Sequence, residues 1–269
     1  MATASLWIEG RAADAAALRA LQLNYGHLST MQVRRGAVQG FARHVARLQS
    51  ANLELFGSAL PEARIRDALA SALRAAAVGD ATLRVSVGAM DSAAVERGEQ
   101  AVVTLLVAVS PPRTPPSTPQ RLRSHRHQRP LAHLKHLATL PLLHARRAAR
   151  MAGFDDAVLV DDADCVLEGT LWNIGFVEPG GGIVWPAGDA LRGTTEGMLR
   201  AGLDVAGAAQ RIARVHRADW SGFDAAFACN SSGVWPLASI DGQGFAGAAN
   251  MVSALQAVLG AMPWEPLAA

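Results

Sequence analysis

The sequence predicts an α+β fold arranged in two lobes, and three observations carry that expectation. A proline run, "SPPRTPPSTPQ" from Ser110 to Gln120, holds five prolines. It excludes helix and central strand, because proline lacks the amide that a ladder needs and clashes inside a helix. The residues before it mix helical and strand periodicities. Those after it are richer in short apolar strands, punctuated by Gly, Pro and Asp. The expected organisation is an N-terminal α/β lobe over residues 1–110, a stiff extended linker over 111–119 and a larger C-terminal lobe over 120–269.

Each element has a local reason. "HLSTMQVRRGAVQGF" (27–41) reads as a hairpin turning near Arg34, Arg35 and Gly36. The stretch that follows places Val45, Leu48, Asn52 and Leu55 on one helical face, with Gly57 as the stop. "PEARIRDALASALRAAAVG" repeats Ile65, Leu69 and Leu73 at helical spacing. "ATLRVSVGAM" and "AVVTLLVAV" read as strands. Beyond the prolines, "LPLLHARRAARMAGF" is a helix with Pro141 in its first turn and Gly153 at its end. "DAVLVDDADCVLEG" is a hairpin turning at Asp161–Asp164, and "NIGFVEPGGGIVWP" is another, turning at Pro179–Gly182. "GTTEGMLRAGLDVAG" is a glycine-started helix, and "FDAAFACNSSGVWPL" is a buried strand running into a Ser/Gly turn.

Composition narrows the function. A chain of 269 residues, half hydrophobic and 18% charged, suits a globular protein. The longest apolar runs are too short to span a bilayer. "MATASLWIEG" lacks a basic stretch followed by an apolar core, and the expectation is a cytoplasmic protein. Two cysteines, Cys165 and Cys229, supply neither a disulfide framework nor metal spacing. His133 and His136 flank Lys135 without an acidic or thiol cluster, so no metal is expected. "RLRSHRHQR" (121–129) is basic, but no aromatic platform is interleaved and the net charge is only +2, which argues against a nucleic-acid partner.

The most informative residue is Lys135, the sole lysine among 25 Lys and Arg residues. On a solvated surface the two types are interchangeable. They differ where a primary amine must lose its proton and attack a carbonyl, which arginine cannot do. Leu131, Leu134, Leu137 and Leu140 are expected to desolvate this amine. A lysine of this kind forms a Schiff base either with the substrate or with bound pyridoxal phosphate. The cofactor adds two demands: donors for its phosphate and a carboxylate for its ring nitrogen. "RGTTEG" (192–197) offers the first, with Thr194 and Thr195 at a helix start. Thr194 also reads simply as an N-cap. Arg47 in "HVARL" offers a charged contact, or is a solvated helix arginine. Glu168 ends an apolar strand before Gly169, either exposed or as the buried partner of a cation.

In this order these residues resemble the fold-type IV pyridoxal-phosphate enzymes, a family of aminotransferases and aminodeoxychorismate lyases. "HVARL" is similar to the family's His-x-x-Arg-Leu helix, and "LKHL" to the segment carrying its lysine. "DDAVLVDDADCVLEGTLWNIGFV" is similar to its strand, acidic turn, Val-x-Glu-Gly and Asn-Ile-Phe run. "ALRGTTEGML" and "CNSSGVWPL" resemble its phosphate helix and final turn. The resemblance implies a catalytic Lys135 and a cofactor cradle of Arg47, Glu168 (ring nitrogen), Asn173, Leu191, Thr194, Thr195, Asn230 and Ser231. Tyr25, Arg126 and Arg129 are the substrate candidates. It also implies a D-amino-acid aminotransferase-like fold with a barrel-like C-terminal lobe, and a homodimer. The implied activity is transamination between an amino acid or amine and a 2-keto acid, or formation of 4-aminobenzoate by pyruvate elimination. The chain departs from the pattern where Glu196 follows Thr195 in place of arginine, and where Leu28 replaces an aromatic residue.

Overall fold

A computed structural model of the protein describes residues 5–8, 11–12, 14 and 22–267. In chain order the first elements are β1 (Ser5–Ile8), β2 (Arg11–Ala12), β3 (Gly26–Arg34), β4 (Ala37–Gln39), α1 (Phe41–Phe56), α2 (Glu62–Ala76), β5 (Ala81–Ala89), α3 (Ser92–Glu96) and β6 (Val103–Ser110). Residues 111–119 form neither helix nor strand. There follow β7 (Gln120–Arg126), α4 (Leu140–Met151), β8 (Asp156–Val160), β9 (Val166–Gly169), β10 (Asn173–Val177), β11 (Ile183–Pro186) and α5 (Thr194–Val205). The last are β12 (Gln210–Ala213), a 3₁₀ turn (Arg217–Gly222), β13 (Ala225–Asn230), β14 (Gly233–Ile240), β15 (Gln243–Gly244), α6 (Ala248–Gly260) and β16 (Trp264–Pro266).

These elements group into two compact units. One comprises Met1–Arg113, Leu134–Ala138 and Pro263–Ala269; the other comprises Thr114–His133 and Thr139–Met262. Leu134–Ala138 therefore belong to the first unit although they follow the proline run in sequence.

The first unit is a seven-stranded sheet in the order β16-β4-β3-β5-β6-β1-β2. The β3–β4 turn uses Arg35 and Gly36 at φ 49° and 73°, the left-handed pair whose twist matches a two-residue hairpin. Helix α1 ends where Gly57 turns left-handed at φ 64° and donates its amide to Leu53 O. The apolar stripes of α1 (Phe41, Val45, Leu48) and α2 (Ile65, Leu69, Leu73) share one core with Met31, Leu83, Val85 and Leu105 of the sheet.

The second unit is a nine-stranded sheet running β12-β11-β10-β13-β14-β7-β8-β9, with β15 beside β14. It curls into a half-barrel, and Gly169 N at the end of β9 donates to Trp172 O before β10 at 2.8 Å. Strict alternation divides its side chains. Ile174, Phe176, Ala226, Ala228 and Trp235 fill one face. Val177, Trp185, Phe227, Cys229 and Val234 meet α5 and α6 on the other. Helix α4 covers β8 through Leu142, Ala145 and Leu159.

The segments read as strands and helices in the sequence all form. Elements that carried no local signal include β1, β2, α3, β12, α6 and β16. Strand β16 is three residues long, ends in proline and pairs with β4. Only that distant partner makes it a strand.

The turn after Glu168 is held by a buried polar knot. Asp156 accepts from Trp172 Nε1 at 2.9 Å and from Thr170 Oγ1 at 2.8 Å, and pairs with Arg146 Nη2 at 2.8 Å. Gly169 lies flat on the indole, where an added Cβ would stand 2.1 Å from ring atoms of Trp172. Gly169→Ala is therefore expected to cost about 1–3 kcal/mol or more through overpacking. Gly79→Ala, with nothing within 4 Å of its Cβ, should be within about 0.5 kcal/mol of wild type. Urea midpoints of the two variants check the contrast.

Candidate functional site

In the first unit the site is built on the edge of β3. Leu28 N donates to Lys135 O at 2.8 Å and Leu137 N to Gly26 O at 2.9 Å, so the lysine-bearing segment joins β3 as a one-bridge extension. The approach needs glycine at 26. A Cβ there would stand 2.3 Å from Val87 O and 2.9 Å from Leu137 Cδ1. Of the four leucines expected to desolvate Lys135, Leu134 and Leu137 are buried, whereas Leu131 and Leu140 are exposed. The reason is local: Leu131 sits in a turn at φ 50° and Leu140 opens α4. Lys135 itself is half-buried.

Strand alternation points His27, Ser29 and Met31 to the same face. Helix α1 lays His44 and Arg47 there, one turn apart. Arg47 Nη2 donates to Ser29 Oγ at 2.6 Å and approaches His44 Nδ1 at 3.4 Å, while Ser29 Oγ lies 2.7 Å from His44 Nδ1. The Nε of Arg47 is enclosed without a partner, and among the described residues the guanidinium is in no ion pair. Burial lowers its pKa from 12.5 to about 10, which leaves it charged at neutral pH. Burial pushes His44 well below the ordinary histidine value, and the charges of Arg47 and Lys135 push the same way. His27 packs against Phe56 and its Nε2 lies 3.4 Å from Asn52 Oδ1. Tyr25 is exposed, stacks edge-on against Phe56 and donates its hydroxyl to Leu55 O at 3.1 Å.

In the second unit Glu168 is buried, not an exposed strand end. Its Oε1 accepts from Arg129 Nη1 at 3.1 Å and from Leu191 N at 3.3 Å. Arg129 is buried with it. Asn173 is buried and donates Nδ2 to Leu191 O at 2.6 Å. Its Oδ1 would meet a Cβ on Gly193 at 2.2 Å, so only glycine precedes α5 here. Glu168, Leu191 and Asn173 thus form one network ahead of that helix. Gly197 N to Gly193 O is the first intrahelical bond of α5, which leaves the amides of Thr194, Thr195 and Glu196 available at the positive end of the helix dipole. Thr194 and Thr195 are buried, and Thr195 Oγ1 donates to Asn230 O at 2.8 Å. Asn230 Oδ1 in turn accepts from Ser232 N at 2.8 Å, and Ser231 is half-buried in that turn.

Arg126 is a different case. It is exposed and bonds Asp164 Oδ1 at 2.8 Å. Reading by residue type missed three buried polar residues: Ser29, His44 and Glu196. The i, i+3 spacing of His44 and Arg47 and the alternation of β3 were the available signals. Glu196 is 1% exposed, with its Oε1 3.5 Å from Arg192 and 3.8 Å from Arg200. Its Oε2 has no partner, and burial pushes its carboxyl above the usual value.

Residues 26–240 match the family model of amino-transferase class IV. No curated protein shows significant similarity to the sequence. Solved structures do. The 4-amino-4-deoxychorismate lyase from Pseudomonas aeruginosa is 26% identical over 94% of this chain and 97% of its own, with a TM-score of 0.77. A hypothetical aminotransferase from Mycobacterium tuberculosis in a PLP-bound form is 19% identical over 96% and 98%, with a TM-score of 0.78. The branched-chain aminotransferase from the thermophilic archaeon Thermoproteus uzoniensis, solved with norvaline, is 19% identical over 95% of either chain, with a TM-score of 0.80.

The buried histidines make stability depend on pH. Burial lowers the pKa of His27 from 6.5 to about 4. Between those values the unfolded chain binds a proton that the folded chain does not, so stability is lost as the pH falls through that window. His44 acts in the same direction. From about pH 7 to about pH 5 the free energy of unfolding should drop by about 2 kcal/mol through His27 alone. His27→Gln keeps a donor for Asn52 and cannot titrate, so urea titrations should show that part of the drop missing; an unchanged drop contradicts a neutral His27.

Proposed function

We propose that this chain, which belongs to the amino-transferase class IV family and depends on pyridoxal phosphate, moves an amino group between an amino acid or amine and a 2-keto acid. The observation that carries the assignment of the site is the chain's one lysine, fixed by two backbone bonds to β3, the strand whose Ser29 holds Arg47. Bound pyridoxal phosphate supplies a carbonyl that amines attack and a ring that accepts electrons. A guanidinium enclosed without an ionic partner among the described residues, a helix start with open amides and two buried threonines, and a buried carboxylate all fit its phosphate and ring.

The residues divide the work. Arg47, Thr194, Thr195, Asn230 and Ser231 hold the phosphate, and Leu191 packs on the ring. Glu168 holds a proton at the ring nitrogen, paired with Arg129 and oriented by Leu191 N, while Asn173 fixes that loop. The amine of Lys135 is the covalent attachment point. Once released by the donor, its Nζ takes the proton from the carbon that bears the donor's amino group. Arg129 thereby serves Glu168, and Arg126 is committed to Asp164. Tyr25 remains the substrate candidate. The same proposal makes the protein a cytoplasmic homodimer acting on small molecules; among the described residues no helix is long and apolar enough to cross a membrane.

One observation favours a second reading, aminodeoxychorismate lyase: the 26% identity with the Pseudomonas aeruginosa lyase. Both begin with the same amine and the same proton abstraction, so the products discriminate. Amino donors are incubated with and without 2-keto acids, beside aminodeoxychorismate alone. Transamination requires the acceptor and converts it stoichiometrically. Release of pyruvate without an acceptor establishes the lyase.

Glu168→Gln tests the site. The amide keeps an acceptor for Arg129 and Leu191 N but cannot hold the ring nitrogen protonated. Cofactor should still bind, while proton abstraction from the donor carbon slows by several kcal/mol of barrier, on the order of 3–5. A near-normal single-turnover rate would place the ring partner elsewhere.

A further inference from the structure

The cluster around Arg47 has a feature that its role as a cation does not explain: among the described residues its side-chain partners, Ser29 and His44, are neutral. Arginine only donates, so Ser29 Oγ is the acceptor of the 2.6 Å bond from Nη2. The serine proton is then free to point at His44 Nδ1, 2.7 Å away. Nη2 also approaches that nitrogen, at 3.4 Å. Ser29 Oγ, with one proton and two lone pairs, can bond Arg47 and the imidazole at once, donating to Nδ1 or accepting from it. Burial favours the neutral imidazole, so the ring adds no charge beside Arg47. Ser29 is 0% exposed and His44 3% exposed, so neither has water as an alternative partner.

We propose that Ser29 and His44 are positioning residues that form an uncharged clamp on Arg47, orienting its guanidinium toward the cofactor phosphate without neutralising it. The proposal rests on the assignment of Arg47 to the phosphate. A carboxylate in place of Ser29 would hold Arg47 as firmly, but its charge would oppose an incoming dianion. A hydroxyl backed by a neutral imidazole fixes the direction of Nη2 and leaves the full positive charge for the ligand. Helix α1 places His44 and Arg47 one turn apart and β3 supplies Ser29 opposite them, so the clamp is built from regular elements only.

The test uses the full chain stripped of cofactor and titrated with pyridoxal phosphate, with pyridoxal, which lacks the phosphate, and with inorganic phosphate as competitor. Ser29→Ala and His44→Leu should each weaken pyridoxal phosphate roughly tenfold, in line with loss of a hydrogen bond to a charged group. Pyridoxal should change less than about twofold, and inorganic phosphate should compete less well than against wild type. His44→Asn carries its Oδ1 where Nδ1 stood and should recover most of the affinity. Equal losses for pyridoxal and its phosphate would mean a structural role only and overturn the proposal. So would wild-type affinity in both variants, or failure of Asn to do better than Leu. Arg47→Ala is the control for the underlying assignment. If it binds pyridoxal phosphate as tightly as wild type, the assignment of Arg47 fails and the clamp with it. If Arg47→Ala weakens binding while the clamp variants do not, only the clamp fails.

Discussion

Two backbone hydrogen bonds fix the place of the chain's one lysine: Leu28 N to Lys135 O and Leu137 N to Gly26 O. Strand β4 pairs with β3 only at Val33 and Arg34, which leaves the other end of that edge open. Residues 135–137 close it. A segment more than a hundred residues away in sequence is thereby laid against the strand that carries Ser29 and faces Arg47. The contact requires Gly26, whose missing Cβ lets both Val87 and Leu137 approach. A loop would leave the lysine backbone free to wander. A strand edge fixes it within hydrogen-bond tolerance, which is what the proposed role of the amine requires.

Buried charge is handled differently in the two units. In the second, Glu168 and Arg129 neutralise each other at 3.1 Å, with side chains 7% and 5% exposed. Removing either would take a short charge-assisted contact from a buried ion, and such losses are expensive. In the first, Arg47 keeps its charge among neutral partners, and its desolvation shows in the lowered pKa. An arrangement with an uncompensated enclosed cation costs stability in the empty protein and regains it when an anion binds. An ion pair already balanced within the fold gains nothing comparable from an anion.

Much of this was legible in the sequence. The lone lysine stood out by composition, and the two hairpins from Asp156 to Gly169 and from Asn173 to Pro186, with the buried strand after Phe223, form as β8–β11 and β13. Glu168 was visible as a strand end before a glycine, exposed or buried, and only the resemblance gave it a role; the structure buries it and supplies the reason for the glycine, the face of Trp172. What stayed hidden depends on tertiary pairing. The register of Lys135 against β3 has no local signature. Ser29 is an ordinary strand serine until Arg47 arrives from α1, and Arg129 is one of several arginines in a basic stretch until it meets Glu168. Leu131 and Leu140 show the limit from the other side, since apolar spacing suggested burial and a turn and a helix start exposed them.

The central claim is that the Lys135 amine is where the cofactor attaches. The most direct measurement is borohydride reduction of the protein loaded with pyridoxal phosphate, followed by proteolysis and mass spectrometry. The account predicts that the pyridoxyl mass is retained on the peptide containing Lys135 and is lost entirely from Lys135→Ala. With a single lysine in the chain, the other primary amine is the N-terminus. A protein that carries no reduced adduct, or carries it on the N-terminus with Lys135 unmodified, contradicts the account.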